Sequence, residues 1–365
     1  MPASGGSIEP VVRTARRAAF PFPSADGHGL FYAANPDGVD LNLWWRDLGT
    51  GRDFRVISGV GEYSEPCVSP DGRRLVATIV DVQQALDRVP VTFDRAAVLE
   101  PLTNGFSGDL DPSWSPDGTR LVFSSSRTGS RNIWTAQADL SQAAPLTSGP
   151  AIDERPAYSP DGRQVAFVSD RGGRRGIWVV NVDGGSPRLV TAADVLDTIS
   201  WAPDGRTLVY AVPGSTSPGL RTVSVADGTA ARLPTPAAAF APAWSPRDDV
   251  IAYLEPQPGV GTYLRLVNRE GRPQHSSALD AAQQLSNGFV AWSPDGRRLA
   301  AISLPGNQSG SISIVTLDGA TPFRRLIDLP AGVYLRGVTW SRDSSALVIG
   351  HIRWAGDIVL AERLR

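Results

Sequence analysis

The stretch "DPSWSPDGTRLVFSSSRTGSRNIW", residues 111–134, returns almost unchanged as "RPAYSPDGRQVAFVSDRGGRRGIW" at 155–178. A sentence repeated at that length is architectural, and the rest of the chain carries further copies of it. Aligned on its first position, the Ser-Pro-Asp-Gly core recurs at Ser24, Ser69, Ser115, Ser159, Ala202, Ser245, Ser293 and Ser341. Successive cores lie 43 to 48 residues apart, from 159→202 to 293→341. Some copies drift: the first reads "SADG", the fifth "APDG", the sixth "SPRD" and the eighth "SRDS". The regular spacing still identifies them.

Every copy parses alike. An aromatic usually stands just before the core (Trp114, Tyr158, Trp201, Trp244, Trp292, Trp340). Proline then presets φ, and Asp-Gly tolerates the tight reversal. The repeated Asp71, Asp117, Asp161, Asp204 and Asp295 are explained by that turn and call for no metal. Apolar, β-branched and aromatic runs follow, such as "LVFSS", "NIWTAQ" and "APLTSG", giving about four short strands per copy. Four strands every 45 or so residues describe a propeller blade, a small twisted sheet that must stack on its neighbours to cover its faces. The aromatic before the turn is expected to fill the space between blades, where burying its ring contributes about 2–3 kcal/mol. A row of ligand-stacking rings is the less economical reading.

The expected fold is an all-β, single propeller over residues 1–365 with about eight four-stranded blades, or seven if the first copy is incomplete. The last copy stops after its third strand, so a strand near residues 8–14 is expected to complete it and close the ring.

The string Pro-x-Trp-Ser-Pro-Asp-Gly-x-x-Leu-x-Phe-x-Ser-x-Arg-x-Gly-x-x-x-Ile-Trp, followed by "PLT", resembles the TolB-type (WD-repeat-like) propeller repeat of bacteria. The match is clearest over residues 101–210 and covers essentially the whole chain. The resemblance implies three contexts: a periplasmic protein-binding propeller like TolB, a propeller placed over a hydrolase domain as in prolyl-oligopeptidase-like enzymes, and a sensor module of bacterial kinases or regulators.

Composition narrows the chemistry. The formal charge of −2 argues against nucleic-acid binding, which needs a basic surface. All 35 basic residues are arginine, which excludes a phosphate-loop lysine, a Schiff-base lysine or a Ser–Lys dyad in this chain. The single Cys67 cannot make an internal disulfide. The first twenty residues lack the apolar segment of a secretory signal, and no apolar run reaches the roughly 20 residues of a membrane span. A cytoplasmic location is expected, or a periplasmic one if the chain belongs to a longer anchored protein.

"GFSGD" and "NQSGS" fail as hydrolase elbows, and "GVGTYL" fails as a dinucleotide fingerprint. His28, His275 and His351 are too few and too scattered for zinc spacing, and no calcium loop is present. No catalytic residue, metal or cofactor is expected.

The segment four to eight residues before each core leads into the innermost strand, and so lies near one mouth of the central channel. Copies two to five carry acids there: Glu62 and Glu65, Asp109 and Asp111, Asp153 and Glu154, Asp194 and Asp197. Copies six to eight read "AAAFA", "LSNGF" and "VYLRG", apolar with Arg336, and copy one carries Arg16 and Arg17. Two charges about 8 Å apart interact by roughly 0.5 kcal/mol in water and roughly 2 kcal/mol at an effective dielectric near 20. Clustered acids therefore call for neutralising cations or a basic partner. The other reading is that they accept backbone hydrogen bonds in the loops. The expected function is a non-catalytic, monomeric scaffold or sensor that binds a protein or basic peptide at this mouth. The alternative is an accessory propeller that gates substrate for a separate catalytic unit.

Overall fold

A computed structural model describes residues 11–12, 18–34, 41–57, 62–195, 198–214, 218–259, 261–274, 288–303, 310–317 and 323–362. Strands dominate them, and the one helical element is the 3-10 turn Arg171–Gly173. No helix among the described residues is long and apolar enough to cross a membrane. The chain forms two compact units, Gln83–Ile352 and Met1–Val82 with Arg353–Arg365.

In the larger unit, copies three to eight each build one antiparallel sheet. The inner strands follow one another in a closed cycle: Leu110–Trp114, Asp153–Tyr158, Ile199–Trp201, Phe240–Trp244, Val290–Trp292 and Val333–Trp340, which returns to Leu110–Trp114. The aromatics before the turns do pack between blades, and three also bond across them. The indole Nε1 of Trp201 donates to the Ala157 carbonyl at 3.0 Å. Trp292 reaches Ala243 and Trp340 reaches Ala291, each at 2.9 Å. Each bond ties one blade to the inner strand of the blade before it. The Nε1 atoms of Trp114 and Trp244 are buried with no partner among the described residues, so those two rings contribute through packing. Between adjacent inner strands, Trp244 N–H donates to Ser200 Oγ (2.9 Å) and Thr198 Oγ1–H to the Pro242 carbonyl (3.1 Å).

The turn opposite the strand starts behaves as its residues dictate. Ser115 Oγ donates to Asp117 Oδ1 at 2.6 Å, and Thr119 N–H donates to the same oxygen at 3.0 Å. These bonds, the serine's first, hold the Asp117 carboxyl down at about 2. The pattern recurs at Ser159–Asp161 and Ser293–Asp295. Gly118 has φ +74° and a β-carbon there would stand 2.8 Å from Arg342 Cβ, so the position requires glycine on two counts.

The ring holds six blades where about eight were expected, because copy one and copy two as far as Val82 belong to the other unit. Its closure also differs from the expectation. The last blade orders Val333–Trp340, then residues 346–352, then residues 83–90, with Glu100–Pro101 outermost. The strand beside the final hairpin therefore comes from 83–90. Of the expected closing segment 8–14, only Val11 and Val12 are described, and neither is in a strand. The joint between copies eight and three is tight: β-carbons on Gly337 or Gly350 would stand 3.0 Å or 2.9 Å from Asp111 backbone atoms. Asp87 and His351 meet inside this last blade, with Oδ2 and Nδ1 3.2 Å apart. The stretch 80–100, which departs from the repeat in sequence, does so because its strand Arg74–Pro90 runs for 17 residues. That strand and Ala346–Glu362 are where the chain passes from one unit to the other.

The smaller unit contains the four-stranded sheet of copy one and a sheet that joins Glu62–Val68 to residues 74–82 and 353–362. Its core is Phe31, Leu43, Tyr63, Leu75 and Ala77.

Candidate functional site

The mouth of the channel is built by a defect repeated in the inner strands. Four residues before the core, Phe20, Glu65, Asp111, Arg155 and Ala241 all have φ between 49° and 57°. In each of these strands the pairing register slips at that point. Each of the five precedes a proline: Pro21, Pro66, Pro112, Pro156 and Pro242. Proline has no N–H to give the ladder, and a β-bulge with one residue in the left-handed region absorbs the gap. Copies five, seven and eight have Thr198, Phe289 and Gly337 at the equivalent place with no proline after them, and no positive φ.

In the ring these positions surround one end of a cavity of about 790 Å³ lined by inner strands of all six blades. Asp111, Arg155, Thr198, Phe289, Arg336 and Gly337 stand at this bulge mouth, and prolines of the repeated turns at the other. Among the described residues, no group of three or more His, Cys, Asp or Glu is placed to hold a metal ion.

Of the eight expected acids, Asp109, Asp111, Asp153 and Glu154 are brought together by adjacent blades, and they are not an open acidic surface. Asp109 is buried, and Arg127 Nη2 donates to its two oxygens at 2.8 and 3.0 Å. Asp153 is fully buried, bonded by Arg171 Nη2 and by Thr147 Oγ1 at 2.6 Å. Asp111 Oδ2 accepts from Ser124 Oγ at 2.9 Å and from Arg155 N–H at 3.3 Å. Glu154 faces three guanidiniums: Arg175 in contact, Arg336 at 3.6 Å and Arg155 at 3.8 Å. Burial alone would raise its pKa, but Arg155, Arg175 and Arg336 outweigh that and lower it. Asp194 is exposed and does not line the cavity. Glu65 is exposed on a bulge of the smaller unit, in the strand that begins at Glu62. Asp197, Arg16 and Arg17 lie outside the described residues. The cations that clustered acids call for are thus supplied by the chain itself.

The arginines were the residues that acid-by-acid reading missed. Their signal was in the repeat string, where Ser125-x-Arg127 and Ser169-x-Arg171 end the second strand of copies three and four. Each arginine Nε donates to that serine, at 3.0 and 3.1 Å. Each guanidinium also lies over aromatics of its own blade: Arg127 is 4.7 Å from the Trp134 ring centre, and Arg171 is 5.2 Å from that of Phe167. Stacking holds the cation planar and places its free edge on the acid.

Residues 99–286 match the family model described as the TolB beta propeller domain. The chain belongs to the TolB beta propeller family. Among solved structures it is similar to a putative TolB from Agrobacterium tumefaciens, with 20% identity and TM-score 0.59, over 75% of this chain and 99% of that one. TolB from Acinetobacter baumannii aligns with 14% identity and TM-score 0.52, over 86% and 79% of the two chains. A chain of the nidogen/laminin complex aligns with 12% identity and TM-score 0.51, over 77% and 98%. At these identities the likeness to the solved structures is one of fold.

Proposed function

We propose that this propeller is a non-catalytic scaffold or sensor module that holds a protein or peptide partner at the bulge mouth of its channel. The observation that carries this reading is the convergence of the bulge-position side chains on one rim. The six blades place different chemistry there, from Asp111 and Arg155 on bulges to Thr198 and Phe289 on strands without one. A uniform repeat with a varied rim is the arrangement expected of a recognition surface on a rigid support. The cavity is large enough to admit several residues of an extended peptide, and its walls of proline and aromatic rings suit an apolar peptide body. A propeller of similar fold takes part in the nidogen/laminin complex, in keeping with this use.

The test is capture from native lysate by intact protein, Arg336→Glu and Arg342→Ala, with folding of each checked by thermal melting. Arg336 stands at the bulge mouth and Arg342 at the turn mouth. A partner lost only with Arg336→Glu supports the reading. A partner retained by both variants places recognition on another face and overturns it.

A further inference from the structure

The sign of the charge at the bulge mouth narrows what the partner must present there. The sequence led to an expectation of a basic ligand, but the packing points the other way. Arg155, Arg175 and Arg336 surround the single carboxylate of Glu154, and Asp111 is the other acid beside them on the rim. The charged groups that themselves line this mouth are two cations, Arg155 and Arg336, and one anion, Asp111, which already accepts bonds from Ser124 and the Arg155 backbone. Asp109 and Asp153 have arginines of their own.

Arg336 is the decisive residue. Its Nη2 lies 3.6 Å from Glu154 Oε2, beyond hydrogen-bond length. Its Nε is buried with no hydrogen-bond partner among the described residues. The side chain nevertheless lines the cavity and is about one-third exposed. The outer part of this guanidinium, exposed at the cavity rim and beyond hydrogen-bond reach of the nearest carboxylate, is a receptor for an anion. Its place is fixed by Gly337, the next residue, whose missing side chain lets this strand approach Asp111 closely.

Resting on the peptide-binding reading above, we infer that the bulge mouth recognises a carboxylate of the bound peptide, through Arg336 with Arg155 beside it. The carboxylate belongs to the peptide's carboxyl terminus or to an acidic side chain. The apolar and proline walls beyond the rim receive the rest of the peptide. Capture of a terminal carboxylate by fixed donors is a recurrent mode of peptide recognition.

Three fluorescein-labelled randomised pentapeptide mixtures, all free of internal Asp and Glu except as stated, separate the possibilities by fluorescence anisotropy. One has a free carboxyl terminus, one is amidated, and one is amidated with a central Glu fixed. The free acid or the Glu-bearing mixture is expected to bind at least tenfold more tightly than the plain amide, and whichever does so identifies the source of the carboxylate. Arg336→Gln should abolish that tenfold advantage, and Arg336→Lys, which keeps the charge, should restore part of it. Equal binding of all three mixtures would overturn carboxylate recognition and leave peptide binding standing. No binding by any mixture would overturn both. The comparison of acid with amide on the intact protein stands even if a variant fails to fold.

Discussion

Copies three and four and copies five to seven meet the same requirement with different chemistry. Each must pack the start of an inner strand against its neighbours. In copies three and four the strand is approached through acids, Asp109 and Asp153, that are buried only because Arg127 and Arg171 reach back to them. In copy six the equivalent position is the buried, apolar Ala239, and in copies five and seven Trp201 and Trp292 bond neutrally to the neighbouring blade. One repeat backbone thus carries two kinds of support, ionic pairs inside a blade and neutral bonds at the seam between blades. The ionic kind is the more fragile to single substitutions, because a lost partner leaves a charge without solvent, whereas a neutral seam loses one bond and some packing.

The sharpest way to break this contrast is Arg171→Ala. It strands Asp153, which has no solvent exposure, and should destabilise the ring by about 3–5 kcal/mol in urea denaturation. Replacing both partners, as Asp153→Leu with Arg171→Met, should recover most of the loss. A single-variant loss under about 1 kcal/mol would put the pair in the range of surface ion pairs and erase the distinction.

Trp292→Phe tests the neutral seam. It removes the donor to Ala243 while keeping most of the ring, so a loss of about 1 kcal/mol is expected from the same measurement. A larger loss would mean that this seam depends on its polar bond as strongly as copies three and four depend on their ionic pairs.

The smallest effect is a difference in pH response. Glu154 is held below its ordinary value of 4.5, since the neighbouring arginines outweigh its burial. A carboxylate with a lowered folded pKa stabilises the fold above the unfolded value, and that contribution is lost as pH falls through the folded one. Glu154→Gln should therefore flatten stability against pH below about 4.5, when melting temperatures of the two proteins are followed from pH 6 to 3. Parallel curves would show that Glu154 contributes nothing through its charge.

Much of the blade was legible from the sequence. The Ser-Asp bonds, the glycine at φ +74° and the aromatic between blades all follow from a few residues in a row. The mouth was legible as a place but not in its charge. Counting acids before each core found Asp109, Asp111, Asp153 and Glu154, yet their partners Arg127, Arg171 and Arg175 stand 18 to 21 residues further on. Only the return of the next strand brings them together. The bulge that turns Asp111 and Arg155 to the channel also had a sequence mark, the proline after each.

What the sequence determined by itself is whatever a blade decides internally: turn type, strand alternation, the bulge at X-Pro and the aromatic between sheets. These depend on φ preferences and side-chain periodicity within about twenty residues. How many blades share a ring was decided by tertiary structure. Closure requires residues 83–90 to lie beside 346–352, over 250 residues apart in the chain, and Gly337 and Gly350 to pack against Asp111. No local preference specifies that pairing. It is fixed by which edges and apolar faces remain uncovered once all the blades have formed, and the same packing sets the balance of charge at the mouth.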